Sequence, residues 1–247
     1  MREKIIAGHI YHVLNRGVDK RNIFLDEKDY FRFIHDLFEF NDTEPVNNIT
    51  YFFRKNPKVI ARPYITHKNE NVKPRKLLVE ILAFCLMPNH YHLLLRPRFD
   101  DGVTKFIKKL NMGYARYFNE KYKRRGTLFE GRYKAIVILR DEHFIHLPYY
   151  IHLNPLDLKF PTWRNREIKN HRAAIKFLEN YRWSSFLDYA GWKNFPSVTQ
   201  REFLTEFWGD AKNHKKELIK WLKEISLEEI REEALESLEI SFRNPRS

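Results

Sequence analysis

The chain has 247 residues, 43% of them hydrophobic and 15% aromatic, which is ample for at least one substantial core. Its 45 Lys and Arg against 32 Asp and Glu leave a formal charge of +13, and such a surplus favours a polyanionic partner because each neutralised phosphate releases condensed counterions. The single cysteine, Cys85, excludes an internal disulfide framework and a cysteine-based zinc cluster, and no run approaches the ~18 consecutive apolar residues of a membrane span.

At the N-terminus, Met1-Arg2-Glu3-Lys4-Ile5-Ile6 lacks the apolar core and small-residue cleavage site of a signal peptide, so the expectation is a cytoplasmic protein. Gly8 to Leu14 is rich in β-branched and aromatic residues and predicts a first strand, closed by the turn Asn15-Arg16-Gly17. Asp26 to Phe40 predicts an amphipathic helix. Its apolar positions 30, 33, 34, 37 and 38 follow the helical rhythm, and Asp26 is placed to cap it. Residues 41–76 are polar, hold four prolines and show no firm period, which gives an insertion or long loop.

Leu77 to Leu86 is a near-continuous apolar run that predicts a central strand. Met87-Pro88-Asn89 breaks it, and His90 to Leu95 resumes as its hairpin partner. Gly102 to Tyr122 predicts a long helix, Ala135 to Leu139 a strand, and Glu142 to Leu153 a further helix ended by Asn154-Pro155. Residues 156–180 look like a basic linker around a short helix. Residues 201–247 hold 9 basic and 11 acidic residues and look helical, so the positive charge lies elsewhere. The division that follows is a domain over 1–195 and a helical C-terminal extension over 196–247.

Three groups of residues bear on chemistry. His90 and His92 are one residue apart on a predicted strand, so both imidazoles share a face and form part of a metal site. Taken alone, such a pair is more often two histidines on a solvent-facing strand edge. Tyr150 and Asn154 are four apart on a predicted helix and share a face. There a phenol can attack phosphorus, and an amide oxygen can complete a ligand set. Judged alone, Tyr149 and Tyr150 read as packing aromatics. Finally, residues 105–140 carry 11 Lys and Arg but only two acidic residues, with aromatics interleaved, a mixture suited to unstacked single strands. The DNA-contact candidates are Arg16, Lys121, Lys123, Arg124, Arg125, Arg132 and Lys134.

Taken together, these segments resemble the HUH single-strand tyrosine transposases, and within them the REP-associated, IS200-like tyrosine transposases. The resemblance lies in Tyr11-His12-Val13 with Arg16-Gly17, and in Met87-Pro88-Asn89-His90-Tyr91-His92-Leu93-Leu94. It continues through Tyr117-Phe118-Asn119, Gly126 to Lys134, Tyr150-Ile151-His152-Leu153-Asn154-Pro155, and Tyr181-Arg182-Trp183-Ser184-Ser185, in order across roughly residues 8–190. It implies an α+β fold, an antiparallel sheet flanked by helices of the ferredoxin- or RRM-like HUH kind. It also implies that His90, His92 and Asn154 hold Mg²⁺ or Mn²⁺ and that Tyr150 is the nucleophile. The implied substrate is single-stranded DNA bearing hairpin or palindromic repeats, cut through a 5′-phosphotyrosine by a monomer or homodimer.

Three departures stand out. Residues 41–76 are extra, Pro148 lies inside the nucleophile helix where a proline removes a backbone bond, and Tyr149 adjoins Tyr150. Only Tyr150 precedes Asn154 by four. Two competing readings are a domesticated, non-catalytic DNA- or RNA-hairpin-binding protein and a replication-initiator or relaxase nickase. Decay usually removes a catalytic residue, and here all four stand. The nickases usually carry further histidines or partner domains.

Overall fold

Two helices and a hairpin separate strands that end up side by side. The computed structural model describes residues 4–44, 75–139, 141–165 and 167–224. Strand β1 (Ile10–Arg16) is followed by α1 (Glu27–Glu39), the hairpin β2 (Val79–Met87) and β3 (His90–Pro97), then α2 (Gly102–Lys121) and β4 (Lys134–Ile138). The sheet order is β2-β3-β1-β4, with every neighbouring pair antiparallel. This is the split βαββαβ arrangement of ferredoxin-like α+β folds, in which β3 inserts between β1 and β2. Helix α3 (Asp141–Leu153) follows, then two 3-10 turns (Asn154–Leu158 and Pro161–Asn165), α4 (His171–Asn180), α5 (Phe186–Tyr189), α6 (Glu202–Trp208) and α7 (Ala211–Glu224).

The sheet is covered on both faces. Phe84, Leu86, Tyr91 and Leu93 turn toward α1 and α2, where Phe33, Leu37, Phe106 and Tyr114 complete one core. Cys85, Met87 and Leu94 turn the other way and meet Leu147, Tyr150 and Ile151 of α3, with Trp208, Leu218 and Trp221 from α6 and α7. A strand buried on both faces reads as a continuous apolar run, which explains why β2 shows no alternation. Helix α1 starts where its sequence indicates. The Asp26 carboxylate accepts from the Asp29 amide while Asp29 reaches back to the Asp26 amide.

The exposed edge of β2 is closed by the Trp183-Ser184-Ser185 segment. The amides of Leu86 and Ser185 donate to the carbonyls of Trp183 and Phe84, at 2.9 and 3.0 Å, and the Phe84 amide donates to Ser185 Oγ at 2.9 Å. The segment thereby occupies the unpaired backbone groups of a sheet edge. Just past β1, Gly17 is required by a close approach, since a Cβ there would lie 2.3 Å from the Arg21 carbonyl oxygen.

The elements fall within a few residues of their expected bounds, with one correction. Residues 156–180 are not a linker. Leu156, Trp163, Ala174, Ile175 and Leu178 are buried in the α3-side core. Ala174, Ile175 and Leu178 lie on α4, the expected short helix, whereas Leu156 and Trp163 lie on 3-10 turns whose spacing shows no helical period in the sequence. Most of the expected 41–76 insertion (residues 45–74) and the tail from residue 225 lie outside the described residues.

Two predictions concern stability. Ser185→Ala strands the buried Phe84 amide and should cost about 1–3 kcal/mol in urea unfolding. His214, 1% exposed among Tyr149, Tyr189 and Trp208, has neither ring nitrogen hydrogen-bonded among the described residues. Burial drives its pKa from 6.5 to about 3. The unfolded chain therefore takes up the proton first, and the contribution of His214 to stability falls as pH drops from 6.5 toward about 3. His214→Phe should flatten the loss of stability with falling pH by about 1.4 kcal/mol per unit in that window. Parallel urea midpoints for the two proteins at several pH values check this.

Candidate active site

The sheet register sets the histidines. In β3, His90 pairs with Arg16 and His92 with Leu14 of β1, so these side chains share the face under α3 with His12, two residues before Leu14. His90 and His92 are 9% and 2% exposed. They do not lie on a solvent-facing edge; α3 packs over them. Their ring centroids are 4.9 Å apart and their planes nearly perpendicular.

A hydrogen bond assigns the tautomer of His90. The Asn89 amide nitrogen donates to the Lys20 carbonyl, which leaves Asn89 Oδ1 to accept from His90 Nδ1 at 2.6 Å. His90 therefore carries its proton on Nδ1 and presents Nε2 as the lone-pair nitrogen. His92 Nδ1 shares a hydrogen with His12 Nε2 at 2.9 Å, and His92 Nε2 is buried with no hydrogen-bond partner among the described residues. Burial pushes His90 down to about 4, with Arg164 and Arg16 acting in the same direction and Asp157 opposing them. Burial, with His90, His12 and Arg164 adding to it, holds His92 well below the ordinary histidine range. Both rings are thus neutral near pH 7, the state a metal ligand requires.

The adjacent tyrosines point to different places. Helix α3 continues through Pro148 to Leu153. Tyr149 packs on Trp208 and His214, with ring centroids 5.0 and 5.2 Å away, inside the C-terminal helical layer. Tyr150 instead stands edge-on to His92 and His12, at 6.1 and 6.4 Å. Asn154, at the start of the first 3-10 turn, donates to the Tyr150 carbonyl at 2.9 Å and so stays on the same side. Tyr150, Asn154, His90 and His92 are therefore brought together.

Sequence reasoning missed the group that ties them. The Arg164 guanidinium donates to the Tyr150 phenolic oxygen at 3.1 Å and to Asn154 Oδ1 at 3.1 Å. Asp157 holds it in two-point contact, through Nε at 2.9 Å and the terminal nitrogen at 2.7 Å, and also accepts from the Trp163 indole at 2.6 Å. Burial opposes charge on Arg164, but Tyr150 and Asp157 outweigh it and keep the guanidinium above its ordinary range. No helical period or close spacing links Arg164 to Tyr150. His12 was legible only as part of the Tyr11-His12-Val13 motif.

The donor set fits a metal ion in part. His90 and His92 offer neutral imidazoles, His92 Nε2 has no hydrogen-bond partner among the described residues, and Asn154 Oδ1 keeps a second lone pair beside its bond to Arg164. Among the described residues no three His, Cys, Asp or Glu side chains converge as a metal cage. A third donor drawn from this cluster would be the Asn154 amide oxygen.

The basic candidates divide by what they touch. Arg16 grips Glu130 with two nitrogens, at 2.9 and 2.5 Å. Backbone bonds from Glu130 to Arg16 and from Val18 to Leu128 dock the Gly126-to-Lys134 motif on the end of β1. Lys121 is committed to Asp26 and to the buried Asp29, at 2.8 and 2.6 Å, and Arg124 bonds the Asn119 side chain. Lys123, Arg125, Arg132 and Lys134 are exposed. Lys121 thus belongs to the frame of α1 and α2, and the loop beyond it carries the accessible cations.

Residues 64–154 match the family model described as IS200-like transposase. This stretch runs through both histidines and Tyr150 and ends on Asn154. Over that stretch the chain is similar to the IS200-like transposases. Among solved structures, that of a REP-associated tyrosine transposase bound to a REP hairpin aligns with 80% of this chain and 88% of its own, at 15% identity and a TM-score of 0.46. No functionally curated protein matches the chain. Among the described residues no helix is long and apolar enough to cross a membrane.

Replacing Lys121 tests its assignment to the frame. Lys121→Ala leaves the fully buried Asp29 carboxylate without its cation and should cost about 1–3 kcal/mol in urea unfolding. Lys123→Ala, on the exposed loop, should change stability by less than ~0.5 kcal/mol.

Proposed function

We propose that this protein is a metal-dependent single-stranded DNA endonuclease and strand transferase that cuts hairpin or repeat DNA. The observation that carries the proposal is the orientation of Tyr150. Of two adjacent tyrosines, only Tyr150 faces His92, His12 and Asn154, while Tyr149 is packed among apolar and aromatic side chains. The family of residues 64–154 and the order of motifs along the chain support the same chemistry. Mg²⁺ or Mn²⁺ held by His90, His92 and Asn154 would offset negative charge at the scissile phosphate.

The chain's own residues account for the rest. The Tyr150 phenolic oxygen attacks phosphorus, an O–P bond forms, and the bond from phosphorus to the 3′ oxygen breaks. The phenol's proton leaves as the bond forms, and the departing 3′ oxygen takes up a proton to give a free 3′-OH. The 5′ end stays on Tyr150 as a phosphodiester until a 3′-OH attacks it and restores the phenol. The number of phosphodiester bonds is unchanged through the cycle, so no energy source is needed. The Arg164 guanidinium at the phenolic oxygen stabilises negative charge developing there. Exposed Lys123, Arg125 and Arg132 on the loop after α2, with Lys134 at the start of β4, give this surface the charge to bind phosphates, and the salt dependence of binding should follow.

The test is adduct formation on a single-stranded repeat-derived hairpin with Mn²⁺, read on a denaturing gel. Wild type and Tyr149→Phe should form the adduct, and Tyr150→Phe should form none. His90→Ala and His92→Ala should lose cleavage while binding the hairpin with affinity within about threefold of wild type. An adduct in Tyr150→Phe would overturn the nucleophile assignment. Hairpin binding by wild type with no adduct on any repeat would favour a binding-only protein.

A further inference from the structure

The Arg164 contacts carry one step beyond this reading, and rest on Tyr150 being the nucleophile. A tyrosine at a helix surface has a ring that turns and a phenolic oxygen several ångströms from its backbone. Packing against His92, His12 and Trp163 limits the ring plane. It does not by itself fix the oxygen. The two Arg164 bonds do, since one guanidinium holds both the phenolic oxygen and Asn154 Oδ1. The same bond to Oδ1 decides which way the Asn154 amide faces, leaving its nitrogen to donate to the Tyr150 carbonyl.

Arg164 is itself over-determined. Asp157 binds it at two points and is fixed in turn by the Trp163 indole, and the guanidinium carbon lies 4.7 Å from the Trp163 ring centroid. Planar, forked and always charged, arginine makes these bonds simultaneously, which lysine cannot. Surface ion pairs need none of this construction.

We propose that Arg164, anchored by Asp157 and Trp163, is the positioning residue for strand cleavage: it sets the Tyr150 oxygen and the Asn154 carbonyl in one fixed relation beside the histidine pair. Small misplacement of a nucleophile is enough to cost a large factor in rate, about a hundredfold per ångström. The residues between Asn154 and Arg164 then act as a brace that returns the chain to the end of α3.

The experiment compares wild type, Arg164→Met and Asp157→Asn. Methionine keeps aliphatic volume beside Trp163 and removes the fork. Single-turnover adduct formation is followed over a range of hairpin concentrations with Mn²⁺. At saturating hairpin the rate for Arg164→Met should fall by at least ~tenfold, with the half-saturating concentration changing less than about twofold. Asp157→Asn should fall less. A second readout needs neither metal nor DNA. In protein labelled with 3-fluorotyrosine, the signal that vanishes in Tyr150→Phe should shift or broaden in Arg164→Met. A wild-type rate in Arg164→Met, a loss confined to the half-saturating concentration, or an unchanged Tyr150 fluorine signal would overturn the proposal. Should wild type form no adduct, the nuclease reading fails, and the fluorine signal still decides whether Arg164 positions Tyr150.

Discussion

Everything at the site depends on two histidines being buried against a helix. A central strand covered on both faces leaves little solvent for His90 and His92, so burial is the largest cause that holds their rings neutral. A neutral ring must still satisfy its N–H, and here each Nδ1 has a nearby partner, Asn89 for one and His12 for the other. His92 Nε2 has no hydrogen-bond partner among the described residues. The partners come from the hairpin turn and from β1, so the sheet register sets both contacts. Helix α3 then lays Tyr150 over the same patch.

The charge around this patch is organised with equal economy. Arg16 and Arg164 both disfavour protonation of His90, and both are themselves paired with carboxylates, Glu130 and Asp157. A half-buried guanidinium is costly unless its donors are used, and Arg164 uses them on Tyr150, Asn154 and Asp157. The α6 and α7 layer contributes by occupying the opposite side of α3. Trp208 and His214 hold Tyr149, so rotating the helix to exchange the two tyrosines would expose or clash a packed aromatic cluster. The C-terminal helices thus help to decide which phenol reaches the histidines.

Much of this was legible in the sequence. The α1 cap, the β2–β3 hairpin and the pairing of His90 with His92 follow from short-range rules, because caps, turns and strand alternation act within a few residues. The proximity of Tyr150 and Asn154 follows from helical spacing, and Pro148 did not disturb it. Arg164 was not legible, since it reaches Tyr150 only through two 3-10 turns whose path no periodicity encodes. The burial of Leu156 and Trp163 was missed for the same reason. The basic neighbours of Lys121 point to DNA, whereas its carboxylate partners, Asp26 and Asp29, come from the start of α1, about ninety positions away.

The central claim is that the phenol of Tyr150, and no other, becomes linked to DNA. The most direct measurement is mass spectrometry of the trapped protein–DNA adduct after nuclease and protease digestion. The account predicts a residual nucleotide on Tyr150 in the peptide that begins in α3. A nucleotide on Tyr149, or on any residue outside α3, would contradict it.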